Sequence, residues 1–138
     1  MKVALQEAKK AFEKGEIPVG AVIVKDGKII SKAHNLKETK KSSFAHAEIL
    51  AIQKANKKLN NWRLNDCQMY VTLKPCSMCL GAIISSRIKT IYYGADEKKQ
   101  NSQIINNENN PELIDGILNS ECEYLLKEFF KQRRKNDK

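Results

Sequence analysis

Apolar residues recur at helical spacing over residues 2–14, where Val3, Ala4, Leu5, Ala8, Ala11 and Phe12 share a stripe, and this predicts a first helix. Gly15 ends it, as glycine commonly does. Glu16-Ile17-Pro18-Val19-Gly20 reads as a rigid entry to a strand over Val19 to Val24. Asp26-Gly27 is a hairpin signal, so Lys28 to Ala33 returns antiparallel. His34 and Asn35 stand where that strand ends, His34 as an ordinary loop residue. A charged loop follows from Leu36 to Ser43, with Ser42 or Ser43 placed to cap the next helix. That helix is predicted from about Ala45 to Lys57. Ala47, Ile49, Leu50, Ile52 and Ala55 give it apolar surface on more than one side, as a helix packed on a sheet requires.

The second half repeats the alternation. Asn60 to Leu64 is a connector in which Trp62 reads as packing. Gln68 to Leu73 is a third strand that feeds directly into Pro75 and a helix running to about Ser86, with Gly81, Ala82, Ile83 and Ile84 buried. Lys89 to Tyr93 is a fourth strand, closed by Gly94. The pattern dissolves from Asp96 to Pro111, where five of the ten residues from 101 to 110 are Asn. A mobile loop is expected there, with a short helical turn near Ile104 and Ile105. Leu113 to Leu118 reads as a short edge strand. A last helix, from about Ser120 to Lys135, carries the stripe Cys122, Leu125, Leu126, Phe129 and Phe130. Five strands alternating with helices predict one α/β domain over residues 1–138, with a mixed sheet and helices on both faces.

Composition adds a partner class. The chain has 25 basic and 16 acidic residues, a net charge of +9, which favours a polyanion such as nucleic acid. Most of the basic residues are lysine, whereas dedicated phosphate readers often use arginine, so a purely compositional origin stays open. The tail from Lys127 is basic and reads either as an RNA-facing end or as a solvated one. The first residues carry no apolar leader, and no apolar run approaches the length of a membrane span. With four cysteines, that argues for reduced thiols and a cytoplasmic location.

Two short stretches carry the chemistry: His46-Ala47-Glu48, and Pro75-Cys76-Ser77-Met78-Cys79. If Pro75 opens a helix, Cys76 and Cys79 lie on one face of its first turn, where the helix dipole favours thiolates. His46 supplies a nitrogen. Three protein ligands leave one tetrahedral position for a water, the mark of a catalytic zinc site. Glu48 is then the proton shuttle, taking the water's proton and delivering it to a leaving group. On a regular helix, residues two apart project about 200° apart, which suits a ligand beside a separate base. Alone, the C-x-x-C could be a redox pair or half a structural zinc knuckle, and an isolated H-x-E is weak. Cys67 and Cys122 are isolated singles, so no second pair at short spacing completes a structural site. H-x-E followed by P-C-x-x-C together match the signature of zinc-dependent nucleobase deaminases.

The resemblance extends further. Glu16 to Val22, Ala33-His34-Asn35, Ala45 to Ile49, Tyr70 to Leu73, Pro75 to Cys79, Ser86-Arg87-Ile88 and Phe129-Phe130-Lys131 are similar to the bacterial tRNA-specific adenosine deaminases, within the cytidine deaminase-like superfamily. It implies a three-layer α/β/α fold with a mixed five-stranded sheet. It also implies hydrolytic deamination of adenosine to inosine at the wobble position of a tRNA anticodon, by a homodimer with one Zn2+ per chain. His46, Cys76 and Cys79 would be the metal ligands and Glu48 the catalytic base. Asn35, Ala47 and Phe130 would contact the substrate, and Lys131, Arg133 and Arg134 the RNA. The chain departs from the family's pattern at three places. Lys74 stands where Glu is usual, Phe44 where a small or polar residue is usual, and residues 96–110 are shorter and lack a glycine-rich Lys-Gly loop. Two other readings remain: a deaminase of a free base or nucleoside of the guanine or cytosine type, and a zinc-stabilised RNA-binding module without activity.

Overall fold

A computed structural model describes residues 1–97 and 109–136. The elements in chain order are α1 (Lys2–Glu13), β1 (Gly20–Lys25), β2 (Lys28–His34), α2 (Ala47–Leu59), β3 (Cys67–Leu73), α3 (Ser77–Ser85), β4 (Thr90–Ala95), β5 (Glu112–Ile114) and α4 (Asn119–Asn136). The sheet runs β2-β1-β3-β4-β5. β1 pairs antiparallel with β2 and β3, whereas β3–β4 and β4–β5 are parallel, so the sheet is mixed as expected. The β1–β2 turn places Asp26 and Gly27 both at positive φ, 51° and 74°, the conformation of a type I′ hairpin.

Two close approaches set one helical layer. A Cβ on Gly20 would run into the carbonyl oxygen of Ala4, so α1 lies directly on β1. A Cβ on Gly94 would run into Cys122 Sγ, so α4 packs on β4 through that side chain. Phe12 of α1 and Phe129 of α4 meet edge to face at 5.9 Å, which joins these helices to each other. α2 packs over β1 and β2 and against α3. It is tied to the sheet by Ser31 Oγ, which donates to the carbonyl of Ala51 at 2.8 Å. The core between the layers is made of small α2 residues against larger ones: Ala47, Ala51 and Ala55 with Ile23, Met69, Val71 and Ile91 of the strands and Ile83 of α3. Alanine on the inward face of α2 lets its backbone approach the sheet, and that approach positions the start of α2.

Several boundaries differ from expectation. α2 starts at Ala47, with His46 as its N-cap, and neither Ser42 nor Ser43 caps it; Ser42 Oγ instead accepts from the Phe44 N–H at 3.3 Å. Pro75 does not open α3, whose N-cap is Cys76. β4 runs through Gly94 to Ala95. β5 covers three residues, because Gly116 and Leu118 take positive φ and turn the chain into α4. Trp62 is 54 % exposed and does not pack in the core. The connector runs on the surface, and the indole is covered instead by the guanidinium groups of Arg63 and Arg87, 4.8 and 5.7 Å from the ring. His34 is the last residue of β2, not a loop residue. Its Nδ1 lies 3.0 Å from the buried Glu7 carboxylate and its Nε2 3.0 Å from Lys14 Nζ. Most of the loop expected over 96–111, including the turn near Ile104 and Ile105, lies outside the described residues. Among the described residues no helix is long and apolar enough to cross a membrane.

Candidate active site

α2 and α3 begin side by side, and the residues at their starts converge. His46 and Cys76 are both N-caps with extended backbone, at φ −77° and −70°. Each lies outside the regular helix, so the 200° spacing argument does not describe His46 and Glu48. Their separation comes from the change of backbone conformation at the cap. Cys79 sits one turn into α3 and is fully buried.

The three side chains point at one another. His46 Nδ1 lies 3.8 Å from Cys76 Sγ and 3.5 Å from Cys79 Sγ. All three donor atoms fall within 4.8 Å of one another, and among the described residues this is the group able to hold a metal ion. The donor set fits zinc: with Zn–S of about 2.3 Å and Zn–N of about 2.0 Å, a tetrahedron has S···N edges of about 3.5 Å. The thiols also behave as a ligand pair. Hydrogen bonds from the Cys79 thiol and from His46 hold Cys76 far down, to about 3. The neighbouring Cys76 sulfur, and then burial, push Cys79 the other way. The contact with Cys76 raises His46 above its ordinary value. One thiolate therefore forms readily, and a cation between the sulfurs is what would stabilise the second.

Glu48 is in the first turn of α2, 4 % exposed. Burial pushes its carboxyl up to about 7, and its side chain contacts Cys79. A buried carboxyl against a cysteine of the cluster can carry a proton beside the metal position.

These groups open onto a cavity of about 150 Å³. In other proteins a cavity of about that volume takes one aromatic ring. Asn35, Ala47 and Glu48 line it with His46 and Cys76. Asn35 is buried and its amide is held from both ends: Oδ1 accepts from the Lys37 N–H at 3.2 Å and Nδ2 donates to the Ile17 carbonyl at 3.4 Å. Five of the expected site residues thus share this cavity, and Cys79 stands behind them. Phe130, Lys131, Arg133 and Arg134 lie on α4, and none of them lines the cavity. Phe130 is half-buried against Phe129, whereas the three basic residues are exposed.

Sequence reasoning missed the apolar walls, Ile17, Val19 and Leu73, and Lys37 beside them; Lys74, which the sequence shows only as a departure from the family's pattern, also lines the cavity. It also missed Glu16, 1 % exposed, whose carboxylate accepts from the Glu38 N–H at 3.0 Å and from the Thr39 N–H and Oγ1–H at 2.6 Å each. Burial alone would raise this carboxyl, but those bonds outweigh it and hold it below the ordinary value. Glu16 therefore pins the loop between Asn35 and His46. A carboxylate wedged between a helix end and Ile17-Pro18 was the available signal.

A mixed sheet with a His/Cys/Cys cluster and a buried glutamate at two helix starts defines a hydrolytic deaminase. The model of the MafB19-like deaminases matches residues 1–134. The chain is 47 % identical to a tRNA-specific adenosine deaminase of Bacillus subtilis (strain 168), over 100 % of this chain and 91 % of that protein. It is 48 % identical to another of Aquifex aeolicus (strain VF5), over 99 % and 95 %. A solved structure from studies of A-to-I editing by tRNA:A34 deaminases at the wobble position of transfer RNA superposes with a TM-score of 0.85. The two are 36 % identical over 91 % of this chain and 97 % of that one. The chain belongs to the family of tRNA-specific adenosine deaminases.

Proposed function

We propose that this protein converts adenosine to inosine at the wobble position of tRNA anticodons, acting as a cytoplasmic homodimer with one Zn2+ per chain. The observation that carries the reading is a ring-sized cavity bordered by a buried glutamate and by members of a His/Cys/Cys cluster. His46, Cys76 and Cys79 would hold the metal. When bound, Zn2+ supplies Lewis acidity that makes water a nucleophile near neutral pH.

The chain's own residues do the rest. The base leaves the stack and enters the cavity between Ile17 and Ala47. The Asn35 amide, fixed by Lys37 and Ile17, orients the ring edge. Glu48 takes a proton from the attacking water and gives one to the departing amine, so that adenosine and water become inosine and ammonia. Phe130, Lys131, Arg133 and Arg134 on α4 serve as a separate surface for the RNA outside the cavity.

The test is incubation of the zinc-loaded protein with an adenosine-bearing anticodon stem-loop, with free guanine, cytidine and adenosine in parallel. Inosine in the stem-loop is the expected product. Ammonia from a free base with an unchanged stem-loop would replace this reading with that of a nucleobase deaminase.

A further inference from the structure

The cavity has room for one ring, so the ribose and phosphates of a nucleotide within a strand must stay at its mouth. Two lysines line that cavity from separate parts of the chain: Lys37 from the loop after β2, and Lys74 from the turn between β3 and α3. Their backbones are fixed. The Lys37 N–H donates to Asn35 Oδ1 at 3.2 Å, and the Lys74 N–H donates to the Ala95 carbonyl at 2.9 Å. Among the described residues the ion pairs are Lys10–Glu7 and His34–Glu7, and neither Lys37 nor Lys74 donates its ammonium to any acceptor. Lys37 is exposed and Lys74 half-buried. The acid that lines the same cavity, Glu48, is buried. Two cations that make no ion pair among the described residues, both lining an apolar-walled cavity, focus a positive potential where a nucleotide's phosphates must lie.

We propose that Lys37 and Lys74 grip the phosphates flanking the nucleotide whose base enters the cavity. They thereby select a nucleotide within a strand over a free base or nucleoside. The inference rests on the tRNA reading above and adds to it the residues that read strand context. Lysine suits the role, because an ammonium on a flexible stem follows a phosphate as a point charge.

The experiment measures binding of a fluorescently labelled adenosine-bearing stem-loop by anisotropy across a salt series, for the full chain and for Lys37→Gln, Lys74→Gln and Lys74→Arg. Each Gln variant is expected to weaken binding up to roughly fivefold. Each is also expected to lower the slope of log Kd against log salt by about 0.7, the value for one phosphate contact on a single strand. Lys74→Arg should keep the wild-type slope. A second readout replaces one flanking phosphate with an uncharged methylphosphonate. The wild type should lose affinity for that RNA, and the variant lacking the matching lysine should lose no more. Slopes and affinities equal to wild type in both Gln variants, with inosine still formed, would overturn the phosphate grip and leave the tRNA reading intact. A wild type that makes no inosine would overturn that reading and the grip together.

Discussion

Replacing Glu16 with Gln is expected to loosen the loop that carries one wall of the active site. The carboxylate is 1 % exposed and accepts three hydrogen bonds, two of them at 2.6 Å. It is the point where residues 38 and 39 are fastened to the end of α1, and the loop between Asn35 and His46 is otherwise mostly exposed. A hydrogen bond to a charged group contributes about 1.5–3 kcal/mol net. Glu38 and Thr39 are themselves exposed, so water can satisfy their N–H groups once the carboxylate is gone. The amide keeps one acceptor but turns a donor toward a donor, and a net loss of about 2 kcal/mol follows. If the loop opens locally, its amides should exchange with solvent about 30-fold faster, the factor that about 2 kcal/mol represents. Hydrogen exchange by mass spectrometry on the peptide spanning 36–45 reads this directly, and denaturant unfolding reads any global share. The pH dependence has a definite sign. The folded carboxyl lies below its ordinary value of 4.5, so its contribution is complete above that value and is lost as pH falls through the folded value. The difference between wild type and variant should therefore shrink in acid. Exchange in the loop identical to wild type at neutral pH, or a difference that persists unchanged in acid, would refute the anchoring role.

Two further predictions probe the frame and the cluster. Gly94→Ala puts a Cβ against Cys122 Sγ and should destabilise the protein by about 1–3 kcal/mol in denaturant unfolding, with the companion change Cys122→Ala recovering part of it. In metal-stripped protein at neutral pH, Cys76 should be alkylated first, because its thiol is held down to about 3 and is half-buried. Cys67 and Cys122, buried and pushed up by that burial, should stay unmodified, and added zinc should protect Cys76, as peptide mass spectrometry would report.

The sheet and its helices were legible because the apolar pattern has two clear periods. The hairpin at Asp26-Gly27, the strand before Pro75 and the stripe of α4 all carry local signals that tertiary packing reinforces. Helix starts were less legible. His46 and Cys76 take cap positions because their side chains face each other across two helices, and that pairing has no local signature. Trp62 was misread for a similar reason: its partners are guanidinium groups that only the fold brings over the ring. In the site, spacing indicated the cluster and Glu48, since metal chemistry needs particular residue types in a particular order. Glu16, Lys37 and Lys74 act through position alone. A buried carboxylate holding a distant loop, and two lysines meeting at one cavity, become visible once β1, β2 and β3 are laid side by side.

The proposed reaction depends on Glu48 carrying the proton beside a metal held by His46, Cys76 and Cys79. The measurement that tests it most directly is inosine formed in an anticodon stem-loop by wild type and by Glu48→Ala, with the zinc content of both proteins determined on the same samples. One zinc per chain is expected in both, with a loss of inosine formation of at least about 100-fold in the variant, the usual contribution of general acid–base catalysis. Inosine formed at the wild-type rate by a zinc-replete Glu48→Ala protein would contradict it.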